Sequence, residues 1–305
     1  MRKIGYLFSG QGSQFANMGA DLYQKAPAYQ QAIDEASAVL GIDLVNPDNM
    51  DDPKNVQMAI LAMSFGIYQT IAHELPQARV MAGLSLGEYS ALVASGALDF
   101  KTAIALVKDR SHYMEQAGLQ NPGSMAAVLK LDPQKVTQIC QSIVGAYPAN
   151  YNTATQTVIG GTAEGVTQAG TALEEAGAKR VVPLKVAVAS HTPLMQAASD
   201  NLAQRLEDVH FDGFKIPVIS NTTAKPFADE SVKTTLREQL IKPTHFAEDL
   251  KYMQEHFGID TLIEIGPGDT LSKFAKKTLK GIETYHIDNV ETLNEVKTAL
   301  ETEAK

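Results

Sequence analysis

The chain has 305 residues, which exceeds the usual size of one domain, so two structural units or one large domain with an insertion are expected. The formal net charge of -9 argues against general binding to the phosphate backbone of nucleic acids. The single cysteine excludes an internal disulfide and disfavours a structural zinc site, which predicts a reducing compartment and no bound metal.

No segment has the pattern of a signal peptide or a membrane span. The first residues, MRKIGYLFSG, lack a long apolar stretch followed by a small-residue cleavage site. The longest apolar run, 58–72, is interrupted by Ser64 and Gln69 and is shorter than a span. We therefore expect a cytoplasmic protein that does not bind membranes.

The N-terminal part of the chain predicts alternating strands and helices, which is typical of a parallel sheet covered by helices. The expected elements are a strand over 3–8, helical patterns to about residue 40, a helix over 58–74, a strand over 79–82 and a helix over 100–116. The first strand ends in a loop punctuated by glycines, GQGSQ at positions 10–14, and Pro76 stops the helix that precedes the second strand.

A change of pattern follows the segment 118–123, whose Gly, Asn and Pro predict a linker. The elements expected beyond it are a strand over 124–131, a helix over 133–144, strands near 148–151 and over 157–160, a helix over 163–176 and a strand over 180–186. This order, βαββαβ, is the ferredoxin-like arrangement.

The remaining chain returns to the first pattern, so the small unit is interpreted as an insertion. The elements expected there are a helix over 193–209, strands over 216–220 and 261–265, and a helix over 271–280. We predict an α/β fold with an α/β-hydrolase-like parallel-sheet core formed by 1–120 and 189–305, and an inserted ferredoxin-like subdomain formed by 121–188.

The segment 83–87 reads GLSLG, a GxSxG motif with Ser85 at its centre. Such a motif exposes a reactive serine where a strand turns sharply into a helix, and a strand is predicted before it. The alternative is an ordinary helix N-cap, because Glu88 stands three residues after Ser85 as in a capping box.

A nucleophilic serine needs a base, and His191 is the best candidate because it lies in a predicted turn, where reactive groups are common. The other histidines considered fall on polar helix faces or at element ends, which favours surface or capping roles: His73, His112, His210, His256 and His286. A loop histidine whose hydrogen bonds are satisfied remains the alternative for His191.

Arg110 is predicted on an inward helix face. A spacing of 3.6 residues per turn places it beside Ala103, Val107 and Met114. A cation on a buried face requires a partner, which is either an acidic substrate or the carboxylate of a structural ion pair.

Five separated blocks together resemble the malonyl-CoA:acyl carrier protein transacylases of type II fatty acid synthesis, which share their family with the acyltransferase domains of polyketide synthases. The blocks are FSGQGSQ at 8–14, GLSLGEYSAL at 83–92, Arg110 followed by GSMAAVL at 123–129, ASHTPLM at 189–195 and EIGPG at 264–268. They cover nearly the whole chain in the order of that family.

The resemblance implies an acyltransferase that forms a malonyl ester on Ser85, with His191 as base and Arg110 as the partner of the malonyl carboxylate. It implies an oxyanion hole formed by the backbone N–H groups of Gln11 and Leu86. It also implies that a main-chain carbonyl orients the histidine, and we expect that carbonyl at His245.

Two positions depart from the usual pattern of that family. Leu84 replaces a histidine that many members have before the nucleophile, and His245 replaces a glutamine. His245 is therefore a candidate to bind substrate or to alter the pKa of His191, although a bystander role is the simpler expectation. Asn152 matches a position near the active-site cleft.

The lysines at 273, 276, 277 and 280 are spaced to share one helical face, and acyl carrier proteins are acidic. We therefore predict a carrier-docking surface formed by Lys273, Lys276, Lys277 and Lys280. The alternative is a solvated face near a helix C-terminus, where lysines are favoured in any case.

Two other functions use the same residues. A serine esterase or thioesterase of the α/β-hydrolase type shares the GxSxG motif and needs the same base. A scaffold that binds carrier protein without catalysis would form no covalent adduct.

We expect malonyl-CoA and acyl carrier protein as partners, no cofactor and a monomer. The residues leave methylmalonyl open as the acyl group.

Overall fold

The computed structural model describes residues 2–186 and 188–301. Met1, Ala187 and residues 302–305 fall within the predicted domain ranges but lie outside the described residues.

Ten strands in the described part of the chain form two sheets. The strands are β1 Ile4–Phe8, β2 Val80–Gly83, β3 Ser124–Leu129, β4 Ala146–Thr153, β5 Gln156–Gly161, β6 Arg180–Pro183, β7 Val218–Ser220, β8 Lys225–Pro226, β9 Thr261–Ile265 and β10 Glu283–Ile287. One sheet has the order β10-β9-β1-β2-β7-β8 and the other has the order β4-β5-β3-β6.

The helices cover the two sheets. They are α1 Ala20–Lys25, α2 Pro27–Leu40, α3 Pro47–Met50, α4 Val56–Ile71, α5 Leu86–Ala94, α6 Phe100–Gln120, α7 Pro133–Gln141, α8 Ala163–Glu175, α9 Gln196–Glu207, α10 Val232–Gln239, α11 Phe246–Phe257, α12 Thr270–Thr278 and α13 Val290–Glu301.

The six-stranded sheet is parallel except for its edge strand β8. Every residue of β1, β2 and β9 is buried, as expected for parallel strands that helices cover on both faces. In register, Phe8 lies opposite Gly83 on one side and Ile265 on the other, so the carboxyl ends of three strands coincide. Loops that follow these strands therefore meet at one edge of the sheet.

The four-stranded sheet is antiparallel and contains the chain between α6 and the segment that carries His191. Helices α7 and α8 pack on one of its faces around an apolar core. Thr244 connects this sheet to the large unit: its N–H donates to Ala149 O at 2.9 Å, and Tyr151 N–H donates to Thr244 O at 2.8 Å. The two units are thus joined by backbone hydrogen bonds as well as by the covalent chain.

The predicted linker at 118–123 was wrong in its first half, because α6 continues to Gln120. Ala117 and Gly118 are buried in its last turn, and this packing outweighs the low helix propensity of glycine. The helix predicted over 193–209 begins as a 3-10 turn at Pro193–Met195 and continues as α9. Six elements were not predicted: α3, β8, α10, α11, β10 and α13.

Candidate active site

Ser85 lies where β2 turns sharply into α5. Its backbone has a φ of 54° and a ψ of -103°, a conformation that residues other than glycine rarely adopt. The motif glycines permit this turn: a Cβ at Gly83 would lie 2.1 Å from the backbone of Gly87, and a Cβ at Gly87 would lie 2.1 Å from Phe8 O. Small residues are therefore required on both sides of the serine.

The hydroxyl of Ser85 contacts two side chains from distant parts of the chain. His191 Nε2 lies 2.9 Å from Ser85 Oγ, and Arg110 Nη2 donates to Ser85 Oγ at 3.2 Å. Ser85 forms no side-chain capping bond to α5, so the capping alternative was wrong. The hydroxyl is instead held between an imidazole and a guanidinium.

His191 is held by the C-terminal end of α10. Its N–H donates to Leu240 O at 2.9 Å, and its Nδ1 lies 2.6 Å from Gln239 O. A carbonyl oxygen can only accept, so Nδ1 carries the ring hydrogen and Nε2 presents a lone pair to the serine. The orienting carbonyl is that of Gln239, and the expectation that placed it at His245 was wrong.

The pKa of His191 is lowered to about 4, chiefly by burial; the hydrogen bond to the Gln239 carbonyl opposes this shift and the nearby Arg110 adds to it. The imidazole is therefore neutral at neutral pH and can accept a proton.

Arg110 is 1% exposed on the inner face of α6. Its Nη1 donates to Gln57 Oε1 at 2.6 Å, its Nη2 donates to Gln239 Oε1 at 3.2 Å, and its guanidinium lies 5.3 Å from the ring centroid of Tyr89. No carboxylate in the described part of the chain forms an ion pair with it. Its direct contacts are therefore neutral groups, and the buried Glu88 interacts with it only electrostatically, beyond ion-pair distance.

Gln239 also connects the arginine to the nucleophile. Its Nε2 donates to Ser85 O at 3.0 Å and to Glu88 Oε2. Glu88 is fully buried, and burial raises the pKa of its carboxyl to about 7. One glutamine thus contacts the base through its carbonyl, and the serine backbone, the arginine and a buried acid through its side chain.

The residues expected in the oxyanion hole lie beside the nucleophile. Leu86 is the first residue of α5, and its N–H and that of Gln11 have no acceptor among the described residues. The loop after β1 is close to this turn, because a Cβ at Gly10 would lie 2.4 Å from Leu84 O. These two N–H groups are therefore available as hydrogen-bond donors near the Ser85 turn.

Asn152 and His245 do not contact the central group of side chains. Asn152 is buried in β4, and its Oδ1 has no hydrogen-bond partner within the described chain. The ring of His245 packs against that of Tyr151 at a tilt of 33° with centroids 5.1 Å apart, and its Nδ1 lies 3.6 Å from Glu248 Oε1. His245 therefore lies at the junction of the two units.

The predicted lysine surface is only partly helical. Lys273, Lys276 and Lys277 are exposed on α12, but the helix ends at Thr278 and Lys280 follows an extended residue. Lys273 pairs with Asp269 at 2.7 Å. The expectation that all four lysines share one helical face was wrong at Lys280.

The sequence did not single out Gln57, Gln239, Asn221 or Asp249. Asn221 follows β7, and residues just after the carboxyl ends of parallel strands are frequent site residues, which is a usable signal. Gln239 ends a polar helix that was not predicted, so nothing in the local pattern marked it. In residues 2–186 and 188–301, no group of three or more His, Cys, Asp and Glu could hold a metal ion.

No helix in the same ranges combines the length and apolar character that crossing a bilayer requires.

The chain matches the acyl transferase domain over residues 5–299. It is 36% identical over 304 residues to the malonyl CoA-acyl carrier protein transacylase of Bacillus subtilis (strain 168), with 96% of each chain covered. The protein of the same name from Escherichia coli (strain K12) is 36% identical over 288 residues, which cover 91% of this chain and 93% of the relative.

Solved structures agree in fold. A crystal structure of MCAT from Streptococcus pneumoniae has a TM-score of 0.94 and 42% identity, covering 98% of this chain and 100% of that chain. PlMCAT, a malonyl-transacylase solved in complex with the type II PKS acyl-carrier protein AntF, has a TM-score of 0.92 and 36% identity, covering 98% of this chain and 99% of that chain.

Proposed function

The chain belongs to the acyl transferase domain family, among its malonyl CoA-acyl carrier protein transacylases, and from this premise we propose that it transfers malonyl through an ester on Ser85. Malonyl-CoA is the donor, and the phosphopantetheine thiol of an acyl carrier protein is the acceptor. The observation that carries the proposal is the 2.9 Å contact between His191 Nε2 and Ser85 Oγ, with Nδ1 fixed on a carbonyl.

The first half-reaction forms the ester. Ser85 Oγ attacks the thioester carbon while His191 Nε2 accepts the hydroxyl proton. The N–H groups of Gln11 and Leu86 donate to the oxygen that becomes negative. The carbon–sulfur bond then breaks, and His191 returns its proton to the leaving thiolate of coenzyme A.

The second half-reaction reverses these steps with a new thiol. His191 accepts the proton of the carrier thiol, whose sulfur attacks the ester carbon. The ester bond to Ser85 breaks, and the serine oxygen recovers its proton from His191. The kinetics are therefore ping-pong, and the energy of the thioester is retained without a cofactor.

Arg110 selects the acidic acyl group. Its buried guanidinium contacts neutral amide oxygens of Gln57 and Gln239, so it can pair with the free carboxylate of malonyl by a bidentate contact. An acetyl group would leave this cation without an anion in a desolvated site. Asn152 is assigned to the cleft as a substrate contact because its buried Oδ1 is unpartnered.

The carrier protein is proposed to dock beside α12. The N-terminus of that helix adjoins the Gln11 loop, since Ser13 Oγ and Thr270 Oγ1 lie 3.4 Å apart. Lys276, Lys277 and Lys280 are exposed at the other end of the same segment and supply positive charge on a chain that is acidic overall.

We also propose that the fold is an α/β-hydrolase-like core with an inserted ferredoxin-like subdomain at 121–188. The strand order β4-β5-β3-β6 and the antiparallel pairing support the second assignment. The parallel sheet with a serine at a strand-to-helix turn supports the first.

Intact-mass analysis after mixing with malonyl-CoA tests the proposed function. The wild-type chain should gain the mass of one malonyl group, and Ser85→Ala should gain none. Addition of acyl carrier protein should discharge the adduct and increase the mass of the carrier by the same amount.

Two outcomes would overturn the proposal. Absence of any adduct on the wild-type chain would favour a scaffold that binds without catalysis. Rapid loss of malonyl to water, with no carrier required, would indicate the esterase or thioesterase reaction, which the named relatives do not favour.

A further inference from the structure

The strained backbone at Ser85 persists only if its surroundings fix it. A residue other than glycine in such a conformation costs on the order of 1–3 kcal/mol, which neighbouring contacts must offset. Helix α5 itself supplies one bond, from Glu88 N–H to Ser85 O at 3.1 Å. Gln239 Nε2 donates to the same oxygen at 3.0 Å, whereas the backbone N–H of Ser85 is held by one asparagine.

Asn221 follows β7, which pairs with β2 in parallel, so it lies beside the strand that ends at the nucleophile. Its Oδ1 accepts from Ser85 N–H at 2.7 Å, and its Nδ2 donates to Gly83 O at 2.7 Å. The two bonds hold the residues on both sides of Leu84. One side-chain amide thus spans the whole turn.

Two buried acids hold the asparagine in turn. Nδ2 also donates to Asp249 Oδ2 at 2.7 Å, and the backbone N–H of Asn221 donates to Glu88 Oε1. The Asn221 carbonyl accepts from His245 N–H at 2.8 Å. Every polar group of Asn221 therefore has a partner, and the residue is 0% exposed.

These partners also determine the orientation of the amide. The Gly83 carbonyl can only accept, so it requires the nitrogen of Asn221 on its side. The oxygen of the amide must then face the Ser85 N–H. A second acceptor on Asp249 reinforces the same orientation, which is the only one that serves the serine.

We propose that Asn221 is the positioning residue of the nucleophile and that Asp249 fixes its side-chain amide, so that the two act as one unit on Ser85. This inference rests on the proposed role of Ser85. A positioning defect should lower the rate of ester formation by about 10²-fold, because small displacements of a reacting group have effects of that size. Binding of malonyl-CoA should change little.

Two pairs of variants separate positioning from simple structural damage. Asn221→Ala removes both side-chain hydrogen bonds to the turn, whereas Asn221→Asp keeps an oxygen for Ser85 N–H but loses the donor to Gly83. Asp249→Leu removes the acceptor for the amide, whereas Asp249→Asn keeps an oxygen and nearly the same shape. We expect Asp249→Asn to retain most of the rate that Asp249→Leu loses.

A double-mutant cycle tests the claim that the pair acts as one unit. The double variant Asn221→Ala/Asp249→Leu should be no slower than Asn221→Ala alone. Asp249 acts on Ser85 only through the Asn221 side chain, which the first change has already removed. Leu173→Ala, in the apolar core of the small unit, is the matched control for loss of stability. It should lower the melting temperature without slowing ester formation.

The measurement is the single-turnover rate of Ser85 labelling by intact mass, with the apparent Kd for malonyl-CoA taken from its concentration dependence. If Asn221→Ala labels Ser85 at a rate within about threefold of wild type, the inference is overturned, because a misplaced nucleophile should react much more slowly. So would additive effects in the cycle. If Asn221→Ala does not fold, equal rates for Asp249→Leu and Asp249→Asn decide against it. Failure of wild-type labelling would instead refute the proposed function.

Discussion

The two sheets bury different kinds of side chain. At the carboxyl edge of the six-stranded sheet, the buried residues are polar or ionisable: Glu88, Arg110, His191, Asn221, Gln239 and Asp249. The helix-covered face of the four-stranded sheet buries an apolar core that includes Val128, Val136, Ile159, Ala169 and Leu173. Both regions are equally inaccessible to water, so burial alone does not distinguish them.

The large unit buries polar and ionisable groups at its site, although apolar side chains would stabilise the fold more. A buried charge without a partner costs several kcal/mol, whereas each apolar side chain of the small unit stabilises the fold on burial by about 1.5–3 kcal/mol. Arg110 is retained in the large unit despite that cost. Burial raises the pKa of the Asp249 carboxyl well above its usual value, which favours its neutral form. Among the buried polar residues of the small unit is Asn152, whose Oδ1 has no hydrogen-bond partner within the described chain.

Removal of the base should have the largest effect. His191→Ala should slow labelling of Ser85 by about 10²- to 10⁴-fold, because the serine keeps its proton. Single-turnover labelling with malonyl-CoA measures it. His112→Ala, which changes an exposed imidazole of the same unit, is the control. Equal rates for the two variants would remove His191 from the mechanism.

The next largest effect should fall on selectivity. Arg110→Ala should cost malonyl transfer about 3–5 kcal/mol of transition-state stabilisation through the lost carboxylate contact, and acetyl transfer much less. The ratio of kcat/KM for malonyl-CoA and acetyl-CoA is the measurement. Arg205→Ala, whose guanidinium pairs with Asp109, is a matched loss of charge and should leave the ratio unchanged.

The rate of ester formation should depend on pH through the ionisable groups buried at the carboxyl edge of the six-stranded sheet. Because burial lowers the pKa of His191 from 6.5 to about 4, ester formation should persist at pH 5 and be lost only as the imidazole becomes protonated near pH 4. The rate of labelling against pH measures this limb. An acid limb centred near 6.5 would contradict the prediction. A separate inflection near 7 would belong to Glu88 and should vanish in Glu88→Gln.

A change in the apolar core should affect stability and leave the chemistry unaltered. Leu173→Ala removes a fully buried side chain from the small unit and should lower the free energy of unfolding by about 2–5 kcal/mol. Denaturant unfolding and the labelling rate, measured on one preparation, compare the two effects. A large loss of rate in the folded variant would show that the small unit takes part in the chemistry.

The smallest effect should appear at the outer surface. Replacement of Lys276, Lys277 and Lys280 by glutamate should raise KM for acyl carrier protein a few-fold, since exposed charges mainly steer association. Exchange with free coenzyme A should not change and is the internal control. If the kinetics with acyl carrier protein at low salt do not change, these lysines do not form a docking surface.

Patterns set by local sequence were predictable. The strand that became β1, the serine turn and the inward position of Arg110 all follow from spacing that a single element determines. The helix end near Lys280 was misjudged because the lysine spacing continues past Thr278, where the backbone becomes extended. Spacing does not report where the backbone stops being helical.

The rest depended on topology. The predicted strand over 216–220 contains β7, but the sequence does not show that β7 pairs with β2, and this pairing brings Asn221 to the serine. Gln239 reaches His191 through its carbonyl, and a main-chain group has no residue type that a sequence could reveal. The position of Asn221 just after a predicted strand was a usable signal, but its contact with Ser85 could be recognised only once the strand order was known.

The left-handed backbone at both reactive positions affects resistance to heat. Ser85 has a φ of 54° and His191 a φ of 61°, and glycine adopts such angles without steric cost. Ser85→Gly would remove the proposed nucleophile and release backbone strain of about 1–3 kcal/mol. The inactive variant should therefore unfold at a higher temperature than the wild-type chain. His191→Gly would release similar strain but would also remove a buried imidazole and its hydrogen bond to Gln239 O, so no such gain is expected there.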